Sequence, residues 1–228
     1  AVSGGKKHVH IAVMPCTAKK YEAQRDEFKV NNEPNVDYVL TTQELIRMIK
    51  ESGIDFKKLE PEAVDMAYGW MSGAAMIFGV TGGVTEAVLR RVSANKSNVG
   101  LRTIEYTGIR GLEGVKEARI PFGDKQLRIA VVSGLRNTSN LLDKVKAGEH
   151  YDLIEIMACP EGCINGGGQP FSTAEEREMR SKGLYAADKL SSIRRSEENP
   201  LMMSLYNGVL RGRVHELLHV DYTKNKKS

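Results

Sequence analysis

The sequence predicts an α/β fold, a mostly parallel twisted sheet flanked by helices, and three observations carry that expectation. Short runs rich in β-branched residues alternate with segments of helical spacing, the rhythm of strands joined by crossover helices. A Thr-x-x-Glu capping signature stands between one such strand and the helix after it. Two of the apolar runs lead into loops bearing Cys16 and Cys159, and ligand sites in open α/β sheets favour the carboxyl ends of strands.

Taken in order, His8-Val-His-Ile-Ala-Val-Met14 alternates β-branched residues and stops at Pro15, a strand feeding the Cys16 loop. A charged helical segment from Lys19 to about Lys29 comes next, followed by a short strand over Val36–Leu40. Thr41 and Glu44 form the capping box ahead of Leu45, Met48 and Ile49 at helical spacing. Ser72–Gly83, rich in Gly, Ala and Met, leads into Val84, Ala87, Val88 and Arg91, again at helical spacing. Gly123-Asp124 signals a hairpin between Ala118–Phe122 and Leu127–Val132. Ile129–Val132 reads as a buried strand, Leu135–Lys146 as a helix, and Leu153–Met157 as the strand that delivers Cys159. From Ser172 onward the pattern is helical and polar, closing with Val214–His219.

With 228 residues the chain can form one large domain or two small lobes. No apolar stretch approaches the roughly 20 residues that cross a bilayer, so no membrane span is expected. Ala1–Lys7 is small and basic with no hydrophobic core behind it, so no export signal is expected there. The net charge of +4 is spread out, with local concentrations at Lys224, Lys226 and Lys227 and at Arg194–Arg195. No basic run is interleaved with aromatics, which argues against a nucleic-acid partner. Three cysteines make an odd set for a disulfide framework. Cys159 and Cys163 stand four apart in a glycine-rich stretch and Cys16 lies far upstream. That pattern suits thiolates gathered by folding around a metal centre, in the cytoplasm or another reducing, anaerobic compartment.

Met14-Pro-Cys-Thr-Ala-Lys-Lys-Tyr-Glu22 resembles the second cluster-binding motif of the iron-only (FeFe) hydrogenases, Met-Pro-Cys-x-x-Lys-x-x-Glu. Glu155-Ile-Met-Ala-Cys-Pro-Glu-Gly-Cys-Ile-Asn-Gly-Gly-Gly-Gln-Pro170 resembles the third. Ser72-Gly73, Ile77-Phe78-Gly79 and Thr81-Gly-Gly-Val84 are similar to the family's connecting segment, and His215-Glu-Leu-Leu-His219 with Tyr222 to its carboxyl end. The resemblance covers residues 1–228 and implies the C-terminal portion of the catalytic domain: one lobe and adjoining parts of a two-lobed fold.

By that resemblance the cofactor is the H-cluster, a 4Fe–4S cubane joined to a di-iron subcluster with carbon monoxide, cyanide and a bridging dithiolate. Cys16, Cys159 and Cys163 would ligate the cubane, and Cys163 would also bridge to the di-iron part. Lys19 would donate to an iron-bound cyanide, and Met14, Met157 and Phe78 would wall the di-iron site. Glu22 would brace its loop. The residues agree with this: a close thiol pair plus a distant one suits an iron–sulfur cluster. Amides of Gly167 and Gly168 would approach the cluster sulfurs closely. A ferredoxin-like carrier would exchange electrons with the cluster, and the diffuse positive charge suits an acidic partner.

The resemblance departs from the family's pattern in two places. The first motif, Thr-Ser-Cys-Cys-Pro, which supplies the fourth ligand and a proton-donor cysteine, does not occur in these residues, so another chain or segment is expected to provide it. Glu161 stands where glycine is frequent. Two other readings compete. His215-Glu216-x-x-His219 formally matches a zinc metallohydrolase motif, with Asp221 alone downstream as a third ligand. A non-catalytic, hydrogenase-like iron–sulfur protein would share the scaffold.

Overall fold

The structure, a computed structural model, describes residues 8–62, 71–93, 100, 104, 108–122 and 124–220. Ala1–Lys7, Gly123 of the expected hairpin loop, Asp221, Tyr222 and the lysines at 224, 226 and 227 lie outside the described residues. The chain divides into two units: Ala1–Val64 with Gly167–Pro170 and Leu205–Ser228, and Asp65–Gly166 with Phe171–Ser204.

In the first unit, β1 (Ile11–Met14) pairs in parallel with β4 (Tyr38–Thr41), from Ile11↔Tyr38 to Met14↔Thr41. Between them, α1 covers only Ala18–Glu22, not the stretch to Lys29 that charge and spacing suggested. No residue of α1 is buried, so no apolar stripe extends it. Its end closes through short-range bonds from the Gln24 and Arg25 amides to the Tyr21 and Glu22 carbonyls. A 3₁₀ turn over Asp26–Phe28 and an antiparallel hairpin of β2 (Lys29–Val30) and β3 (Glu33–Pro34) complete the connection. The helix α2 (Thr42–Glu51) starts from the expected capping box: the Glu44 amide donates to Thr41 Oγ1 at 3.2 Å and the Thr41 amide to Glu44 Oε2 at 2.8 Å. Thr41 and Gly168 are the only buried residues among those described in this unit. Val9, Ile11 and Val13, on one face by the two-residue period of a strand, are about half exposed.

The second unit has the larger core. After a short helix α3 (Gly73–Met76), a 3₁₀ turn (Ile77–Gly79) and α4 (Gly83–Val92), β5 (Val115–Phe122) and β6 (Lys125–Ser133) form an antiparallel hairpin. Phe122 pairs with Lys125, which leaves a two-residue loop, too short for a parallel crossover. Helix α5 (Leu135–Lys146) then returns the chain to β7 (Leu153–Met157), parallel to β6. As expected, Ile129–Val132 is fully buried. One face of β6 packs Ile129 and Val131 against Leu89, Ile104, Ile109 and Ile120, and the other packs Ala130 and Val132 against Leu141 of α5. Helix α6 (Ala174–Leu190) follows on a second capping box, of Thr173 and Glu176; α7 (Pro200–Asn207) runs across the boundary at Ser204, and α8 (Val214–Leu218) belongs to the first unit. The α/β class holds, with the strands among the described residues spread over three small sheets: the strands feeding the cysteine loops pair in parallel, and the hairpins are antiparallel.

The inner face of α4 differs from the apolar spacing in the sequence. Val84 and Val88 are exposed, whereas Thr85, Glu86, Leu89 and Arg90 are buried. Charge explains the inversion. Arg90, fully buried, donates to both Asp188 carboxylate oxygens at 2.7 Å and to Glu86 Oε1 at 2.5 Å. Arg110 adds two bonds to Glu86 and Arg194 two to Asp188. Burial works against ionisation of Asp188, but the two guanidiniums hold it below the usual carboxylate range. A buried charge set this well bonded packs as a core element.

Candidate metal centre

In the first unit the Cys16 loop leaves the carboxyl end of β1 through Pro15 and runs into α1. Residues 167–169, distant in sequence, lie against it. The Gly168 amide donates to the Pro15 carbonyl at 3.0 Å, while the Gln43 amide donates to the Gly168 carbonyl at 3.0 Å and Gln43 Nε2 to the Gln169 carbonyl at 2.6 Å. A Cβ on Gly168 would stand 2.8 Å from the Cys16 nitrogen, 2.9 Å from the Pro15 carbonyl carbon and 3.0 Å from Thr41 Cβ. Gly168 is therefore glycine because two backbone segments meet there. Its amide is given to the Pro15 carbonyl. Gly167 is exposed, and its amide donates to no described residue.

The lysines of the second motif divide their work. Lys19 Nζ lies 2.5 Å from Glu22 Oε2, one helical turn on, which accounts for the Lys-x-x-Glu spacing: Glu22 holds the ammonium. Lys20 reaches the Val39 carbonyl at 2.8 Å and Glu44 at 2.9 Å, tying α1 to β4 and α2. The Thr41 amide and Lys20 hold Glu44 down to about 2.

In the second unit, β7 ends at Met157 and a tight turn carries Cys159-Pro-Glu-Gly-Cys163 into a 3₁₀ turn over Cys163–Asn165. Its own backbone closes the turn: the Gly162 amide donates to the Cys159 carbonyl at 3.1 Å and the Gly166 amide to the Cys163 carbonyl at 3.0 Å. Gly162 has φ +95°, and a Cβ there would meet the Thr81 nitrogen at 2.8 Å, the Gly79 carbonyl at 2.9 Å and Met157 Sδ at 2.9 Å. The connecting segment thus sits against the cysteine turn, and the Thr81 amide donates to the Glu161 carbonyl at 3.1 Å. Glu161 has φ +66°, the left-handed region that glycine adopts freely and that costs another residue roughly 1–2 kcal/mol. Its carboxylate takes Arg177 Nε at 2.5 Å and its amide donates to Ser133 Oγ at 3.1 Å, so the strained residue is anchored on both sides. The Glu161 carboxylate beside it holds Arg177 above its usual value.

Cys16 and Cys159 are half-buried and Cys163 is exposed; none of the three is in a disulfide. Met14 and Met157 are half-buried and Phe78 is 45% exposed. Cys16, Lys19, Met14, Gly167 and Gly168 belong to the first unit, and Cys159, Cys163, Met157 and Phe78 to the second. Among the described residues no three His, Cys, Asp or Glu side chains are gathered so as to hold a metal ion. The donors are a thiol pair and one further thiol, a soft set that fits an iron–sulfur group better than a hard cation.

Sequence reasoning missed Lys116, Glu155 as a capping carboxylate, Arg177, Ser133 and Gln43. The first two carried a signal: an acid inside the apolar run Leu153–Met157 and a lysine inside β5 each need buried partners. Glu155 Oε1 accepts from the Gly82 amide at 2.6 Å and Oε2 from the Thr85 amide at 2.7 Å, capping the first turn of α4.

The histidine pair of the zinc motif is in contact, His215 Nδ1 to His219 Nδ1 at 2.7 Å. The helix carrying it spans only Val214–Leu218, with His219 already extended. Glu216, the base such a mechanism requires, is held by Arg213 through bonds of 2.9 and 2.7 Å.

Comparison with known proteins is consistent in its direction. The family described as iron only hydrogenase large subunit, C-terminal domain, matches residues 3–167, and that described as iron hydrogenase small subunit matches residues 174–225. The NADP-reducing hydrogenase subunit HndD of Solidesulfovibrio fructosivorans is 45% identical over 97% of this chain and 39% of its own length. Iron hydrogenase 1 of Clostridium pasteurianum is 41% identical over 94% of this chain and 39% of its own. Cytosolic iron-sulfur assembly component 3 of Mus musculus is 34% identical over 95% of this chain and 48% of its own. The chain therefore spans less than half the length of these relatives. A solved FeFe-hydrogenase, HydA(deltaEFG), whose structure concerns stepwise H-cluster assembly, superposes with a TM-score of 0.69 at 35% identity, covering 94% of this chain and 62% of that one.

Proposed function

The chain belongs to the iron-only hydrogenase family, and from that premise we propose that it holds most of the H-cluster and serves the reversible interconversion of dihydrogen with two protons and two electrons. The observation that carries the reading is the Cys159–Cys163 turn, closed by its own backbone and packed so tightly on residues 79–81 that Gly162 admits no side chain. Such rigidity serves a group whose ligand spacing must not drift.

Cys16, Cys159 and Cys163 would hold the cubane as its protein ligands, and Cys163 would also serve the di-iron part. Lys19, steadied by Glu22, is the donor toward cyanide, and the Gly167 amide is a donor toward the cluster. Met14, Met157 and Phe78 exclude water with soft apolar surface. The bound group supplies the redox chemistry, and the protein supplies ligands, orientation and a dry wall.

The fourth ligand and a proton-donor cysteine come from another chain or segment. The half-exposed row of Val9, Ile11 and Val13 supports this, because an uncovered apolar strand face suits a further protein element. A ferredoxin-like carrier is the proposed electron partner, in a reducing, anaerobic compartment where thiolates persist. No described helix is long and apolar enough to cross a membrane.

A second reading is a non-catalytic iron–sulfur protein, favoured by the 34% identity to an iron–sulfur assembly component. The complete Met-Pro-Cys-x-x-Lys-x-x-Glu stretch and the 45% identity to a hydrogenase subunit support the enzyme instead. The test is to purify the protein anaerobically with whatever supplies the first motif, then record hydrogen evolution and infrared bands of metal-bound carbon monoxide and cyanide. Both are expected, and Cys163→Ala is expected to lose both. Wild-type protein that holds iron but shows neither refutes the enzyme and favours the assembly-type reading.

A further inference from the structure

One peptide group in the second unit is gripped at both ends by buried charges. Lys116 Nζ donates to the Thr81 carbonyl at 3.0 Å and to the Gly111 carbonyl at 2.8 Å. The nitrogen of that same Thr81–Gly82 peptide donates to Glu155 Oε1 at 2.6 Å. Lys116 and Glu155 are each only 8% exposed, on β5 and β7 respectively. The arrangement is an ion pair with a peptide inserted between its members, ammonium to oxygen and N–H to carboxylate, so each charge strengthens the other's bond.

The clamp leads to the cysteines. Thr81, fully buried, gives its own amide to the Glu161 carbonyl, and the nitrogen of the Glu161–Gly162 peptide donates to the Cys159 carbonyl. Gly162 has its missing Cβ 2.8 Å from the Thr81 nitrogen. A shift of Thr81 therefore cannot leave the turn in place.

We propose that Lys116 and Glu155 are positioning residues for the Cys159–Cys163 turn, acting as a peptide-bridged ion pair whose two charges also bias the electron affinity of the bound metal group in opposite senses. Burial draws the Lys116 ammonium down to about 8, with Glu155 and Glu113 opposing the fall, so it stays largely charged at neutral pH. Removing the cation leaves a buried negative charge, which disfavours added electrons; removing the anion leaves a positive one, which favours them.

The first arm uses iron-free protein. Unfolding constants are measured for wild type, Lys116→Met, Glu155→Gln and the double variant, with the alkylation rate of Cys159. The double variant is expected to be destabilised at least tenfold less than the product of the two single changes, because it leaves no unpaired buried charge. Cys159 alkylation is expected to rise severalfold in each single variant and to return toward wild type in the double. Multiplicative effects, or alkylation that no variant changes, overturn the proposal. A single variant too unstable to fold sets a lower bound on its cost, and a double variant that also fails to fold counts against the clamp.

The second arm rests on the cluster reading above and uses iron-loaded protein in a redox titration followed by electron paramagnetic resonance. Lys116→Met is expected to lower the midpoint potential, Glu155→Gln to raise it, and the double variant to lie near wild type. Shifts of one sign at full iron content overturn the electrostatic half, since damage to a purely structural residue has no reason to reverse sign. Wild-type protein that takes up no iron contradicts the cluster reading alone, and the first arm still decides the clamp.

Discussion

Gly168→Ala tests how the two sequence-distant motifs are built into one local structure. The added methyl would lie 2.8 to 3.0 Å from three atoms, two of them backbone atoms of Pro15 and Cys16. Backbone cannot rotate away as a side chain can, so either the Cys16 loop or residues 167–169 must move. Overpacking of this kind costs about 1–3 kcal/mol. Movement also strains the bonds from the Gly168 amide to Pro15 and from the Gln43 amide to Gly168, each worth roughly 1 kcal/mol. The expected loss is therefore about 2–4 kcal/mol. It falls on a unit whose only other buried described residue is Thr41, itself one of the three contacts. Gly167→Ala is the internal control. Its new methyl meets only the Thr17 side chain, 3.3 Å away at the nearest atom, so a loss below about 1 kcal/mol is expected. Urea denaturation of the reduced, metal-free protein measures both, with Cys16 alkylation as the local probe. Gly168→Ala at the wild-type midpoint with unchanged Cys16 reactivity, or a Gly167→Ala loss as large, refutes the packing argument.

Two further predictions concern buried charge. Arg90→Met removes four bonds to Glu86, Asp188 and the Arg194 carbonyl from a fully buried guanidinium, and is expected to cost about 3 kcal/mol or more even though Arg110 and Arg194 remain; a thermal or urea loss below about 1 kcal/mol contradicts the network. Lys116 titrates near 8 in the folded chain against 10.5 when exposed, so the unfolded state binds more protons between those values and stability rises with pH across that window. At 1.36 kcal/mol per pH unit the gain is at most about 3 kcal/mol. It is read as the difference between wild-type and Lys116→Met unfolding curves from pH 8 to 10.5, and parallel curves exclude it.

Local order explains what could be read without coordinates. The Thr41 capping box, hairpin spacing, the four-residue apolar core of β6 and the cysteine-bearing strand ends depend on residues a few positions apart, and those expectations hold. The helix expected to reach Lys29 stops at Glu22, since charge alone gives a helix nothing to pack against. The exposed valines of α4 are the clearest reversal. Their spacing announces a helix, but which side faces inward depends on Asp188, about a hundred residues away, waiting for Arg90.

By itself the sequence determined the family, the alternation of strand and helix, and the three thiols with their attendant lysine, because motif identity and periodicity are properties of neighbouring residues. Only the tertiary structure decided that Gly168 serves close packing with its amide given to Pro15, that Glu161 occupies a glycine conformation by leaning on Arg177, and that Lys116 and Glu155 grip the Thr81–Gly82 peptide from two strands. The physical reason is common to all three. A hydrogen bond or a steric limit acts over about 3 Å, and which residues come that close is set by how the chain returns on itself.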